Sequence, residues 1–347
     1  MENSWRNKMN NPSIKDVADV VYFNTYDKID IHRQMIDDKV RTKSYRDYIY
    51  QNKHIFKDKI VLDVGCGTGI LSLFAAKSGA KKVIGIDNSN IIDQTNIIVK
   101  DNGYENVITL VKGKAEEIDS LPDGIEKVDI ILHELMGHFL LFESSLNTVI
   151  HCRDRWLKPG GIIAPDEAVM YLTAVEDEEY EENGTNFWDN VYDFDMSAIK
   201  KIPLKNISIH GNYSRDNIVC ETVPIKTIDL MSVKVEDLSF SSSFKLDAFR
   251  KGFVNGFIGF FSYSFTSGRK PITVSTSPYN YPTHWCSALF YLTDDIIINK
   301  DEFIDGTISI TPSDDYIRSI DVTINYNFSG KYQQVINENK KFYGNRF

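Results

Sequence analysis

The chain has 347 residues, 49 of them acidic against 39 basic, for a net charge of −10. That balance excludes generic nucleic-acid binding, which needs a basic surface, and suits a basic peptide or protein partner. The 42% apolar content can fill the cores of two domains. No apolar run approaches a membrane span, so a soluble protein is expected. The cysteines Cys66, Cys152, Cys220 and Cys286 form no CxxC pair. With no secretory signal, they are expected to be reduced thiols in the cytoplasm or nucleus.

Residues 1 to about 15 are polar. From Val17 the apolar positions recur with helical spacing through Val20, Val21, Tyr22, Phe23 and Tyr26, then Ile31, Met35, Ile36 and Val40. This predicts two helices with a break near Asp30. A third is expected over Thr42–Ile55, so residues 1–50 read as a helical cap.

The most informative stretch follows. Ile60-Val61-Leu62 is an apolar strand closed by Asp63, after which Gly65, Gly67 and Gly69 alternate and a helix opens at Ile70. Glycines at a helix start let backbone N–H groups approach a ligand closely. The next strand, Lys82–Asp87, ends in a carboxylate that can accept both hydroxyls of a ribose. An adenosine-containing cofactor is indicated. The run lacks the dinucleotide GxGxxG spacing and a P-loop Lys-Ser/Thr pair. Asp63 would repel a pyrophosphate and suits a cationic ligand end, such as the amino group of a methionine moiety.

Further on, Ile91–Asn102 reads as a helix, Val107–Val111 and Val128–Leu132 as strands, and Leu140–Arg155 as a helix closed by a turn at Lys158–Gly161. Short connections between these elements predict a parallel sheet with helices on both faces over residues 51–166. From residue 167 to 347 alternating strands dominate, with a strand also expected at Val233–Asp237, so this half reads as a β-barrel. An arm at about 178–203 interrupts it. Its Tyr180–Lys201 core is expected to be helical, and its large apolar side chains make it a candidate oligomer contact or an element packed on its own barrel.

Outside the glycine loop, the chemistry lies in His133-Glu-Leu-Met-Gly-His-Phe-Leu-Leu-Phe-Glu143. Glu134 leaves a parallel strand at its C-terminal end, where doubly wound folds place their sites. Glu143 can return beside it through Gly137. Two carboxylates in an apolar loop repel unless a cation sits between them. A metal site, an acid/base pair and a clamp for a cationic substrate all compete. A metal matches no short motif here, whereas a planar guanidinium pairs bidentately with carboxylates, so the clamp fits best.

These pieces together resemble the protein arginine methyltransferases, most of all the type I enzymes. The resemblance rests on Tyr22-Phe-x-x-Tyr26, Val61-Leu-Asp-Val-Gly-x-Gly-x-Gly69, the Glu134–Glu143 loop and Thr283-His-Trp285. It implies a Rossmann-like domain and S-adenosyl-L-methionine as cofactor, with transfer of methyl groups to protein arginine to give monomethyl- and asymmetric dimethylarginine. No metal is implied. Glu134 and Glu143 would hold the substrate guanidinium. His284, paired with Asp38, would line the active site with Trp285 beside it, and Met35 would lie near the acceptor nitrogen. Tyr22, Phe23 and Tyr26 would cover the cofactor, Arg41 grip its carboxylate, Asp87 its ribose and Glu116 its adenine amino group. His32, Asp63, Gly65, Gly67, Thr68, Gly69, Ala115 and Ser145 complete the expected cofactor site. Implied partners are Arg/Gly-rich proteins and histone tails as substrates, and a second copy of the chain, bound through the arm as a homodimer.

Three positions depart from the type I loop: His133, Leu135 and His138 stand where Ser, Trp and Tyr are usual. Two alternatives stay open on these residues, a cofactor-binding scaffold or regulatory paralogue with weak activity, and a methyltransferase acting on a non-arginine acceptor.

Overall fold

Three helices lead in: α1 (Ile14–Tyr26), α2 (Ile29–Asp37) and α3 (Lys39–Gln51), followed by the short α4 (Lys53–Phe56). The computed structural model describes residues 14–178, 186–201, 205–211, 213–314 and 316–344. The break between α1 and α2 falls at Asp27-Lys28, ahead of the expected Asp30. Helix α3 starts earlier than the apolar spacing suggested because Asp38 caps it, accepting from the Arg41 N–H at 3.0 Å. Its buried residues Arg41, Ser44, Tyr45, Tyr48 and Ile49 recur at helical spacing and form one stripe.

Strands β1 (Ile60–Val64), β2 (Lys82–Asp87), β3 (Ile108–Lys112), β4 (Val128–His133) and β5 (Leu157–Ala164) form a parallel sheet in the order β3-β2-β1-β4-β5. Helices α5 (Ile70–Lys77), α6 (Ile91–Asp101) and α7 (Leu146–Trp156) complete this half. Strand order reverses between β1 and β4, and a crevice opens beyond the C-terminal ends of such a pair. The glycine loop follows β1 and Glu134 follows β4, so the topology brings the two motifs together. The Lys158–Gly161 turn is absorbed into β5, with only Gly160 left-handed (φ 74°).

The remaining strands are β6 (Glu167–Val175), β7 (Ser208–His210), β8 (Val223–Asp229), β9 (Phe240–Asp247), β10 (Gly252–Phe265), β11 (Ile272–Ser275), β12 (Ser287–Ile298), β13 (Phe303–Pro312), β14 (Ile320–Ser329) and β15 (Gln334–Tyr343). Among the described residues their ladders do not close into a barrel. They form two antiparallel sheets, β7-β12-β10-β6-β8 with β11 beside β10, and β15-β14-β13-β9. The sheets face each other through Phe257 against Phe244 and Tyr326, and Phe290 against Phe342. Residues 235–238 make a 3-10 turn in place of the expected strand. Within the arm, 179–185 and 202–204 lie outside the described residues. The rest holds two short 3-10 turns, Asn186–Asp189 and Ser197–Lys201, instead of a continuous helix.

Helix α3 locks the halves together. Tyr45 and Tyr48 pack on Phe265 of β10, with centroids 4.9 and 4.5 Å apart, and Asn52 accepts from the Arg269 N–H at 2.9 Å. Burying aromatic rings of this size stabilises by about 1.5–3 kcal/mol each, so the cap and both halves hold one geometry around the crevice. Among the described residues, no helix is long and apolar enough to cross a membrane.

Candidate active site

The glycine loop is shaped by what surrounds it. Gly65, Gly67 and Gly69 all have positive φ, and a Cβ at Gly65 would lie 2.7 Å from Leu135. The N–H groups of Gly65 and Cys66 both donate to the Ile86 carbonyl, and that of Gly67 donates to Asp87 Oδ2 at 2.8 Å. Asp87 Oδ1 accepts from the N–H and hydroxyl of Ser89. Gly65, Gly67, Thr68 and Asp87 thus line one cleft, joined by His32 and Met35 from α2, Ala115 and Glu116 after β3, and Ser145.

Two expected cofactor residues are not on its wall. Gly69 starts α5 and faces Thr95, whose methyl group would be 2.7 Å from an added Cβ. Asp63 is fully buried, accepting from Ser72 Oγ at 2.6 Å. Burial pushes its pKa up to about 6. Its other oxygen, Oδ1, is buried with no hydrogen-bond partner among the described residues.

Glu134 and Glu143 both open onto the cleft. Glu134 Oε2 accepts from Nε of Arg41 at 3.0 Å and from its Nη2, with both side chains nearly buried. Arg41, expected to grip the cofactor carboxylate, thus lies against the first glutamate. The loop to Glu143 turns back sharply: Phe139, Leu140, Glu143 and Ser144 all have positive φ. A Cβ at Gly137 would stand 2.1 Å from the Phe142 carbonyl oxygen. Because of these turns, α7 begins at Leu146 and not at Leu140. Glu143 Oε2 accepts from Tyr22 Oη at 3.1 Å and Tyr26 Oη at 3.0 Å. Burial, with the charge of Glu134 adding to it, pushes the Glu143 pKa up to about 7 against the lowering bonds of the two tyrosines.

Opposite stands the Thr283-His-Trp285 turn. His284 Nδ1 lies 2.8 Å from Asp38 Oδ2, which also accepts from the His284 N–H. Burial works to raise the Asp38 pKa, but the bonds from His284 and from the Arg41 N–H outweigh it and hold it below the usual carboxylate range. Trp285 Nε1 donates to the Met136 carbonyl at 2.7 Å, and its ring lies 4.2 Å from that of His284. His138 Nδ1 is 2.6 Å from the Trp285 carbonyl, which only accepts, so Nδ1 carries the proton and Nε2 the lone pair. His133 does not approach the clamp. It is fully buried and donates through Nε2 to the Pro165 carbonyl at 3.0 Å, and burial depresses its pKa to about 4.

Sequence reasoning missed Arg318, Lys114 and Thr148, which also line the cleft. Thr148 stands one helical turn beyond Ser145 on α7, a spacing that could have flagged it. Arg318 arrives from the turn before β14, and nothing local in the sequence marks it.

This fold and cleft define a Rossmann-like methyltransferase with a second, antiparallel domain. Residues 62–164 match the family described as methyltransferase domain, and residues 166–331 the arginine methyltransferase oligomerization subdomain. Protein arginine N-methyltransferase 1 of Chlamydomonas reinhardtii is 46% identical over 320 residues, covering 91% of this chain and 90% of its own length. Its Caenorhabditis elegans counterpart is 43% identical over 314 residues, 89% of each chain. Among solved structures, a chain of the Trypanosoma brucei PRMT1 enzyme-prozyme heterotetrameric complex with AdoHcy superposes with a TM-score of 0.87 at 40% identity, covering 92% of this chain and 100% of that one. Arabidopsis thaliana protein arginine methyltransferase 10 gives 0.81 at 26% identity, covering 93% and 99%. The chain belongs to the protein arginine N-methyltransferase family.

Proposed function

We propose that Glu134 and Glu143 clamp the guanidinium of a substrate arginine at the mouth of the cofactor cleft. The chain is an S-adenosylmethionine-dependent protein arginine N-methyltransferase of type I, forming monomethyl- and asymmetric dimethylarginine. One observation carries the clamp: two carboxylates, one from the end of β4 and one from a strained return loop, open onto the cleft that the glycine loop lines.

The cleft residues fit the cofactor. Gly65 and Gly67 present bare backbone, Asp87 a carboxylate for the ribose, Glu116 an acceptor for the adenine amino group, and Arg41 a cation for the carboxylate. When bound, the cofactor supplies an electrophilic methyl group on a sulfonium sulfur. The protein's contribution is positioning and electrostatics. The two carboxylates orient the guanidinium and concentrate its positive charge on the nitrogens they touch, leaving the acceptor nitrogen's lone pair available. Tyr22 and Tyr26 aim Glu143, which, with its raised pKa, can take up the proton that the methylated nitrogen releases. Asp38 holds the His284 ring against Trp285 at the rim, and Met35 crowds the acceptor side.

We assign residues 1–50 to the cap, 51–166 to the cofactor domain and 167–347 to the second domain. The second domain is of the family's oligomerization type. In the arm, the exposed Phe187, Tyr192 and Phe194 form the contact of a homodimer in this reading. Substrates are Arg/Gly-rich proteins and histone tails, drawn by the acidic surface. The free cysteines suit the reducing cytoplasm or nucleus.

The test is mass and amino-acid analysis of an Arg-Gly-rich peptide incubated with S-adenosylmethionine and either the wild type or Glu134→Gln. Mono- and asymmetric dimethylarginine from the wild type, reduced at least a hundredfold in the variant, is the expected result. Equal product from both proteins would remove Glu134 from the chemistry.

A further inference from the structure

Arg318 is remote in sequence from every motif of the site, yet its guanidinium touches three parts of it. Nε and Nη2 each lie 2.9 Å from Asp19 Oδ1 on α1. Nη1 donates to the backbone carbonyl of Glu143 at 3.0 Å. Its carbon sits 3.9 Å from the centre of the Tyr22 ring and 5.2 Å from that of Phe23, a stacking contact that a planar guanidinium makes well. The adjoining backbone grips the same loop: the Arg318 carbonyl accepts from the Glu143 N–H at 2.8 Å, and the Ile317 carbonyl from Ser144 Oγ at 2.9 Å. The second oxygen of Asp19 accepts from Lys114 Nζ at 2.6 Å, so the end of β3 anchors α1 as well.

Two features make this arrangement functional in shape. Glu143 and Ser144 hold φ of 72° and 54°, a conformation that side-chain-bearing residues keep only when their surroundings enforce it. The Arg318 bonds lie on both backbone sides of Glu143. Tyr22, meanwhile, has its hydroxyl on the Glu143 carboxylate and its face under the guanidinium. Helix α1 and Glu143 are therefore held by one side chain of the second domain.

We propose that Arg318 is a positioning residue, a latch that couples the seating of α1 over the cofactor to the orientation of Glu143 toward the substrate guanidinium. The orientation half of this proposal rests on the reading of Glu143 as part of the clamp. Lysine can replace the charge facing Asp19, but it lacks the planar fork needed to reach Asp19 and Glu143 together.

The test compares wild type, Arg318→Ala and Arg318→Lys in the full chain. It reads the dissociation constant of S-adenosylhomocysteine by calorimetry, protease cleavage within α1 with and without that ligand, and steady-state kinetics on an Arg-Gly peptide. Alanine is expected to weaken ligand binding about tenfold, to leave α1 as cleavable with ligand as without, and to lower kcat about thirtyfold. Lysine is expected to recover ligand affinity and α1 protection to within about threefold while kcat stays at least tenfold down, a split that a purely structural role would not give. Should the alanine protein fail to fold, the lysine protein alone decides by the same split. Alanine within twofold of wild type in both affinity and protection, or lysine with full kcat, overturns the latch. If the wild type methylates no arginine, the clamp reading falls, and the affinity and cleavage arms still judge how α1 is held.

Discussion

Replacing Tyr26 by phenylalanine removes one of the two hydroxyls that donate to the Glu143 carboxylate, at 3.0 Å, and leaves the ring in place. A hydrogen bond to a buried charge contributes about 1.5–3 kcal/mol, equivalent to about 1–2 pKa units. Burial already pushes Glu143 up to about 7, so loss of the Tyr26 bond moves it to about 8–9. If the ionised carboxylate grips the guanidinium, the ionised fraction at pH 7.5 falls from about three-quarters to about a quarter or less. The value of kcat/KM at that pH then drops about 3- to 25-fold and returns to within about twofold of wild type near pH 9.5. The assay is kcat/KM for an Arg-Gly peptide at saturating S-adenosylmethionine from pH 6 to 9.5. An acidic limb that stays near pH 7 while activity falls equally at every pH would show that the hydroxyl acts on something other than Glu143's proton affinity.

Two further outcomes follow from the same geometry. Asp38→Asn keeps an acceptor for the Arg41 N–H and so preserves the α3 cap, but it removes the carboxylate facing His284. The melting temperature should move by less than about 3 °C while kcat falls at least tenfold, and a melting shift without a kcat loss would make the pair structural only. His133 is held near pKa 4, below the ordinary 6.5, because its imidazole is buried. Protons therefore bind the unfolded chain preferentially, and stability that is full above about pH 6.5 is lost as pH falls toward 4. Between pH 7.5 and 5 this amounts to about 2 kcal/mol, so urea titrations of His133→Asn should show a loss on acidification smaller by that amount. Parallel losses in both proteins would locate the acid sensitivity elsewhere.

Much of this protein is determined locally. The D-x-G-x-G-x-G run between a buried strand and a helix, and the carboxylate closing the next strand, follow from conformational preferences and periodicity that any chain with those residues must satisfy. The same holds for Glu134, which directly follows the buried apolar run Ile130-Ile131-Leu132 and His133 at the end of β4. Other features depend on contacts between segments far apart in the chain. The register of the whole parallel sheet buries Asp63 and sets it against Ser72 behind the cleft wall, a placement that the glycine run alone does not specify. Hydrogen bonding across the second domain left two facing sheets where the strand pattern alone read as a barrel. The turns that bring back Glu143 need positive φ at Phe139, Leu140, Glu143 and Ser144, residues whose local preference is against it, and packing around the loop decides the issue. Arg318 is the plainest instance. No spacing ties it to Tyr22 or Glu143, and only the fold of the second domain onto the first places its guanidinium between them.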